Sequence, residues 1–383
     1  MNKKYSVFLT VLFCGFLGLF LAWHLILPDK DFSANENRVL SDLPKPSFGI
    51  EFLGGKSGNF FTGEFMQDFE SYVNDQFPLR DEWVGLKGRL EVLSGKPSNN
   101  GVYFAPGDSL IADFPEPEPA QVDKNLNFVS ILGEKLDVPV WFSLIPGKSH
   151  EWWPLLPSGA PVGNQQAILD KASQTENVQW LDISLPFDTS IDGYVYYSFY
   201  RTDHHWNTVG AYHGYADLME GMGRPGSPLG PLTEVSDSFY GTTWSKSGAY
   251  WMSPDKMHIA VSDEDVTVTG IAGNQSTPGK LYNYDKLEQK DKYTFFLGGN
   301  QPLCVIESEK EGAEGKILIL RDSFSDSLAP FLTQNFEEIH LMDLRYYKAS
   351  ISNYVAENEI DEVLVLYSVD NFVTDGNLFV MGL

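Results

Sequence analysis

An uninterrupted apolar run from about Tyr5 to Leu27 opens the chain, and no formally charged residue follows it before Asp29. Some 20 such residues span a bilayer as a helix, whereas the apolar core of a cleaved signal runs about 7 to 15 residues and ends in small side chains. No small-x-small site lies around Leu25 to Asp31, so the pattern predicts a retained membrane helix within 1–28. Lys3 and Lys4 precede the run and favour an N-terminus that stays inside, which puts the remainder outside the cytoplasm.

Asp29 to Phe48 is polar with Pro44 and Pro46 and reads as a tether, taken here to cover 29–58. Phe60, Phe61, Phe65, Phe69, Tyr72, Val73 and Phe77 recur at helical spacing and predict a core-facing helix that stops at Pro78. A second helix follows over Asp81 to Leu93. Beyond a helix at Ala120 to Leu136, Val138 to Ile145 and Val178 to Ile183 read as strands buried on both faces. From about 222 to 301 the chain is rich in Gly, Ser, Pro and Thr and predicts β-hairpins inserted in the domain. Strands at Lys316 to Leu320, Ile339 to Leu341 and Val363 to Tyr367 then alternate with helices at Phe324 to Leu332 and Tyr346 to Ala356. Strands alternating with helices predict an α/β domain over 59–383 with a mostly parallel sheet.

Composition narrows the setting. With 27 basic against 52 acidic residues the chain carries a formal charge of -25, which repels phosphate backbones and argues against a nucleic-acid partner. Cys14 lies in the apolar run behind Phe13, which is too large for a lipidation site, so Cys304 is left alone and no internal disulfide can form.

Two segments carry candidate chemistry. Ser323 lies in Leu320-Arg321-Asp322-Ser323-Phe324, where an apolar strand turns into a helix, so backbone N–H groups are available for an oxyanion. The alternative is an ordinary helix cap at Asp322 or Ser323. A serine needs a base of fixed tautomer, and Thr202-Asp203-His204-His205-Trp206 offers one. In extended chain, residues i and i+2 share a face, so Asp203 supports His205 while His204 points away. Trp206 could wall the site. The same cluster also reads as a hydrogen-bonded loop, or as metal ligands with His213, although no metal motif or cysteine accompanies it.

These residues resemble a known family. Thr202-Asp203-His204-His205-Trp206-Asn207 with Gly210-Ala211, followed by Arg321-Asp322-Ser323-Phe324-Ser325-Asp326-Ser327, is similar to the DHHW family of bacterial surface proteins. Further matches are Glu36 to Leu40, Asn74 to Asp81 and Phe239-Tyr240-Gly241-Thr242. These proteins are SGNH-like relatives of the alginate O-acetylation proteins. The resemblance implies an SGNH-like three-layer α/β/α fold with circularly permuted motif order, in which the Asp-x-His pair precedes the serine. It implies Asp203, His205 and Ser323 as a triad, with Ser323 and Asn371 as oxyanion donors.

Trp206, Arg321 and Trp244 are candidate substrate contacts, and Trp152, Trp153 and Trp251 are further aromatic candidates for sugar stacking. No cofactor is expected. The expected activity is a membrane-anchored serine O-acetyltransferase or acetylesterase on a cell-surface glycan, and the resemblance implies a membrane-bound O-acyltransferase as acetyl donor. The alternatives are a non-catalytic glycan-binding or assembly protein on this scaffold and a metal-dependent hydrolase.

Overall fold

The computed structural model describes residues 3–46 and 62–383, and the chain divides into two compact units, 1–96 with 248–251 and 97–247 with 252–383. The first unit begins with helix α1, Lys3–Ile26, which buries no side chain and is long and apolar enough to cross a bilayer. Helices α2, Glu64–Asp75, and α3, Arg80–Leu93, follow. Asp75 is the one buried residue of α2, while Met66, Phe69 and Phe77 are exposed. The aromatic stripe therefore does not face a core: Phe69 and Phe77 are exposed, and Phe65, Tyr72 and Val73 are only half-buried. Phe60 and Phe61 lie outside the described residues.

The polar stretch expected to be a tether is docked as far as Ser41. Arg38 donates to both Asp75 carboxylate oxygens and to Glu36, and Arg80 reaches Glu36 at 2.8 Å. The Ser41 backbone and hydroxyl add 2.9 and 3.0 Å bonds to Asp75. The Gln76 side chain exchanges hydrogen bonds with the Lys30 backbone at 2.9 and 3.0 Å. Residues 47–58 of that stretch lie outside the described residues.

The second unit is built on a sheet that, among the described residues, has eight strands. In chain order these are β1 (Val140–Ile145), β2 (Gln179–Trp180), β3 (Val266–Ala272), β4 (Gln275–Pro278), β5 (Leu303–Ser308), β6 (Lys316–Arg321), β7 (Glu338–Met342) and β8 (Glu362–Ser368). Their spatial order is β4-β3-β5-β7-β6-β8-β1-β2. The run from β7 to β2 is parallel, and β5, β3 and β4 extend it antiparallel. Strands β3 and β4 come from the 222–301 stretch, so part of it completes the main sheet. The second strand expected, 178–183, shrinks to the two residues of β2 because it lies at the sheet edge, with Gln179 exposed.

Alternation along β6 explains the layers. Ile317 and Ile319 enter one core with Trp206, Tyr215 and Phe331, while Leu318 and Leu320 enter the other with Val129, Ile168 and Val355. The first face carries α7, Thr208–Gly221, and α9, Ser325–Leu332; the second carries α4, Pro119–Lys135, α6, Gln165–Ala172, and α10, Ile351–Glu357. The intervening α5, Lys148–Glu151, and α8, Thr242–Ser247, are short helices beside the site described below. The helix expected from Tyr346 starts at Ile351, where the Ser350 side chain caps it by accepting from Asn353 N–H. The fold is the expected SGNH-like α/β architecture, and its parallel strands β1, β8 and β6 end together at one edge of the sheet.

Arg38 beside Asp75 holds that carboxyl well below the usual carboxylate range, against the opposing effect of burial. A carboxyl depressed by folding stabilises above its unfolded value, about pH 4, and the contribution is lost as pH falls through the folded value. Asp75→Asn should cost about 2 kcal/mol at pH 7. In denaturant melts of the full chain in detergent, the gap between variant and wild type should close as pH drops below about 4.

Candidate active site

Ser323 follows β6 and precedes α9 at the carboxyl edge of the sheet, where α/β proteins bind ligands. Its turn is held by Asp322, which lies 2 % exposed. One carboxylate oxygen accepts from Phe324 N–H at 3.0 Å, and the other accepts from Ser368 N–H, Ser368 Oγ and Asn371 Nδ2 at 2.8, 2.7 and 2.8 Å. The serine turn is thereby tied to the end of β8. Ser323 N–H makes no hydrogen bond among the described residues, which leaves it open as a donor.

The Asp203 to His205 segment reaches the same place from far away in sequence. Asp203 Oδ1 accepts from His205 N at 3.0 Å and from His205 Nδ1 at 2.6 Å. Its Oδ2 accepts from Thr242 N–H at 2.6 Å and Thr242 Oγ1 at 2.9 Å. Burial alone would raise the Asp203 carboxyl, but the two imidazoles and the hydrogen bonds from His205 hold it well below the usual range. An ionised carboxylate only accepts, so His205 carries its proton on Nδ1 and presents Nε2 as an acceptor. That nitrogen lies 2.7 Å from Ser323 Oγ. The three sequence-predicted residues therefore form one continuous hydrogen-bonded chain.

Several neighbours fix it. Gly241 is required beside Thr242, because a Cβ there would lie 2.2 Å from Asp203 Oδ2. Asp255 accepts from Arg201 N–H, Thr202 N–H and Thr202 Oγ1 at 3.0, 2.7 and 2.6 Å, anchoring the segment just before Asp203. Lys148, 5 % exposed, donates to the carbonyls of Tyr200, Arg201 and Asp203 at 2.6, 3.0 and 3.3 Å. Burial lowers its amine to about 7, with Asp255 and Asp203 opposing. Tyr293 stacks on the His205 ring at 3.8 Å and donates to Ser323 O at 3.0 Å.

The other expected site residues fare differently. Trp206 is not a substrate contact: it is fully buried, slotted against Gly214, and its indole donates to Phe324 O at 3.0 Å and Ser327 Oγ at 2.9 Å. It bolts the histidine segment to the serine helix. Arg321 is likewise buried, 2.9 Å from Asp326 and 3.3 Å from Asn300 Oδ1, so it cannot meet a substrate. Trp244 is 5 % exposed, beside Tyr240 and beneath Lys290. Trp152 is buried, whereas Trp153 is exposed. Asn371 does reach the site, with one amide hydrogen engaged by Asp322.

His204 does not point away, because the chain bends instead of running extended. Its ring lies 3.9 Å from that of His205 and it lines a solvent-open cleft of about 730 Å³ with Lys148, Thr242, Phe324, Ser368 and Asn371. Its Nδ1 sits 2.6 Å from Thr242 Oγ1. Since that hydroxyl donates to Asp203, it accepts from His204, whose Nε2 is left as an acceptor. Tyr293 and Lys148 carried no local sequence signal; Thr242 stood in a noted motif without a role.

Asp203, His204 and His205 offer ligand atoms within 4.8 Å of one another and so could hold a metal ion. Both Asp203 oxygens and both Nδ1 atoms are already committed to the bonds above, so a metal would have to break them. His213 takes no part; its Nε2 is 2.8 Å from Thr189 Oγ1.

The motif resemblance is borne out by a family model described as DHHW protein, which matches residues 188–342. No curated protein matches the chain in sequence. Among solved structures, a DHHW family protein from Eubacterium siraeum is 21 % identical with a TM-score of 0.61, over 74 % of this chain and 96 % of that one. PatB1 of Bacillus cereus is 20 % identical with a TM-score of 0.59, over 73 % and 98 %. The same protein with a sulfonyl adduct gives 19 % and 0.56, again over 73 % and 98 %. These likenesses show the shared fold.

Lys148→Met should leave the buried carbonyls of Tyr200 and Asp203 short of a donor and cost about 2 to 3 kcal/mol, read as a lower midpoint in thermal or denaturant melts. A change under about 0.5 kcal/mol would mean that the amine does not hold the segment.

Proposed function

We propose that the chain is a serine O-acetyltransferase or acetylesterase, anchored in the cell membrane by α1 with its second unit outside the cytoplasm, and that it acts on a cell-surface polysaccharide. The observation that supports this is the hydrogen-bonded order Asp203, His205, Ser323. His205 Nε2 takes the Ser323 proton as Oγ attacks an acetyl carbonyl, and Asp203 stabilises the imidazolium that forms. Ser323 N–H and the second Asn371 amide hydrogen stabilise the tetrahedral oxyanion. Collapse expels the donor's oxygen with the proton returned from His205, leaving an acetyl-serine. A sugar hydroxyl or water then attacks with His205 again as base, which gives acetylated glycan or acetate.

The acetyl donor must reach the outer face, which fits a membrane-bound O-acyltransferase as partner. The competing reading, a glycan-binding or assembly protein on the same scaffold, has no observation of its own in its favour. A metal-dependent hydrolase is disfavoured by the saturated carboxylate of Asp203.

In purified full chain, Ser323→Ala should abolish turnover of an acetyl ester and labelling by a sulfonyl fluoride, and Asp203→Asn should lower kcat by about 10⁴ with the ester. Retained turnover in Ser323→Ala, or unchanged surface acetylation in cells carrying it, would sink the proposal. Dependence of turnover on a chelator would favour the metal reading instead.

A further inference from the structure

The first unit carries an apolar surface that the proposed chemistry does not use. On α3, Trp83, Leu86 and Leu90 recur at helical spacing and are 41, 44 and 56 % exposed. The opposite side of α3 is already packed, with Gly85 against Tyr250 and Gly88 against Trp251. On and after α2, Phe69 and Phe77 are 39 and 40 % exposed. Exposed apolar side chains concentrated on consecutive helices mark a surface that meets something.

The register of α1 says what. Phe20 stacks on Phe77 with ring centroids 5.5 Å apart and lies 6.1 Å from Trp83, and the His24 ring sits 5.9 Å from Tyr72. At 1.5 Å per residue, Phe20 is about 26 Å along the helix from Lys3. A hydrocarbon core is about 30 Å thick. With Lys3 at the inner boundary, Phe77 and Trp83 fall at the outer boundary, the level where aromatic side chains partition in membrane proteins.

We infer that α2 and α3 form a foot lying in the outer interface of the bilayer that α1 crosses, with Trp83, Leu86 and Leu90 inserted among lipid chains. This rests on the anchored reading of α1. Helices α2 and α3 together bear Glu64, Asp68, Glu70, Asp75, Asp81, Glu82 and Glu91 against Arg80, Lys87 and Arg89, a net negative charge, so the attraction is apolar insertion, not recognition of anionic headgroups.

The test is spin labelling of the full chain in phosphatidylcholine vesicles, with Cys14→Ala as background and buried Cys304 retained. Single labels go at Leu86→Cys and Leu90→Cys, at Val11→Cys in α1, and at Lys171→Cys as an aqueous control. Relative access of oxygen and of a polar nickel complex is then measured. Leu86 and Leu90 should shift toward oxygen as Val11 does, with Lys171 showing the reverse ratio. A lipid-like Val11 with aqueous Leu86 and Leu90 overturns the foot and leaves the span standing. Exclusion of both reagents from Leu86 and Leu90 also overturns it, because protein then covers the face. A chain that stays free of vesicles with an aqueous Val11 removes the span and the foot together.

Discussion

The candidate site depends on a buried carboxylate that must be satisfied. An unpaired charge at the position of Asp203 would be prohibitive in a packed interior, and four donors make it tolerable. Two of those donors belong to His205 and two to Thr242, which arrives from a separate stretch of chain. The bonds from His205 that stabilise the charge are thus the bonds that orient its ring. Gly241 lets Thr242 close on Asp203 Oδ2, while Oδ1 sets the tautomer of His205.

A second buried carboxylate does for Ser323 what the first does for His205. Asp322 collects donors from the serine turn and from the end of β8, so the position of Ser323 is set by the sheet. Trp206 joins the two arrangements through Phe324 and Ser327. Neither carboxylate needs to touch a substrate. Each converts the desolvation cost of a charge into a fixed geometry, which is the preorganisation that nucleophilic chemistry requires.

What was legible in the sequence follows from this division. The strands of the parallel sheet announced themselves as apolar runs, and the Asp203, His205 and Ser323 grouping followed from strand ends and motif order. Burial of a tryptophan is not written in its own neighbourhood: Trp206 lies beside the histidines yet packs inward because Gly214 leaves a slot for it. Tyr293 acts on His205 across 88 residues of chain, a distance no local pattern spans. The stripe through Phe69 and Phe77 was read correctly as one face and wrongly as a core, because periodicity reports that a face is apolar and says nothing of what covers it. The expectation for His204 failed because the i, i+2 rule holds for extended chain and this segment bends.

That failure changes how the cleft is read. Thr242 donates its hydroxyl hydrogen to Asp203, so it can only accept from His204 and fixes the tautomer of that ring, as Asp203 Oδ1 fixes that of His205. Two adjacent imidazoles therefore each keep one unprotonated nitrogen, that of His205 facing the serine and that of His204 on a ring that lines the cleft. On the proposed function, a water would satisfy the second nitrogen as well as a sugar would, so any balance between hydrolysis and transfer would rest on the shape and occupancy of the cleft, not on the hydrogen-bonded chain beneath it.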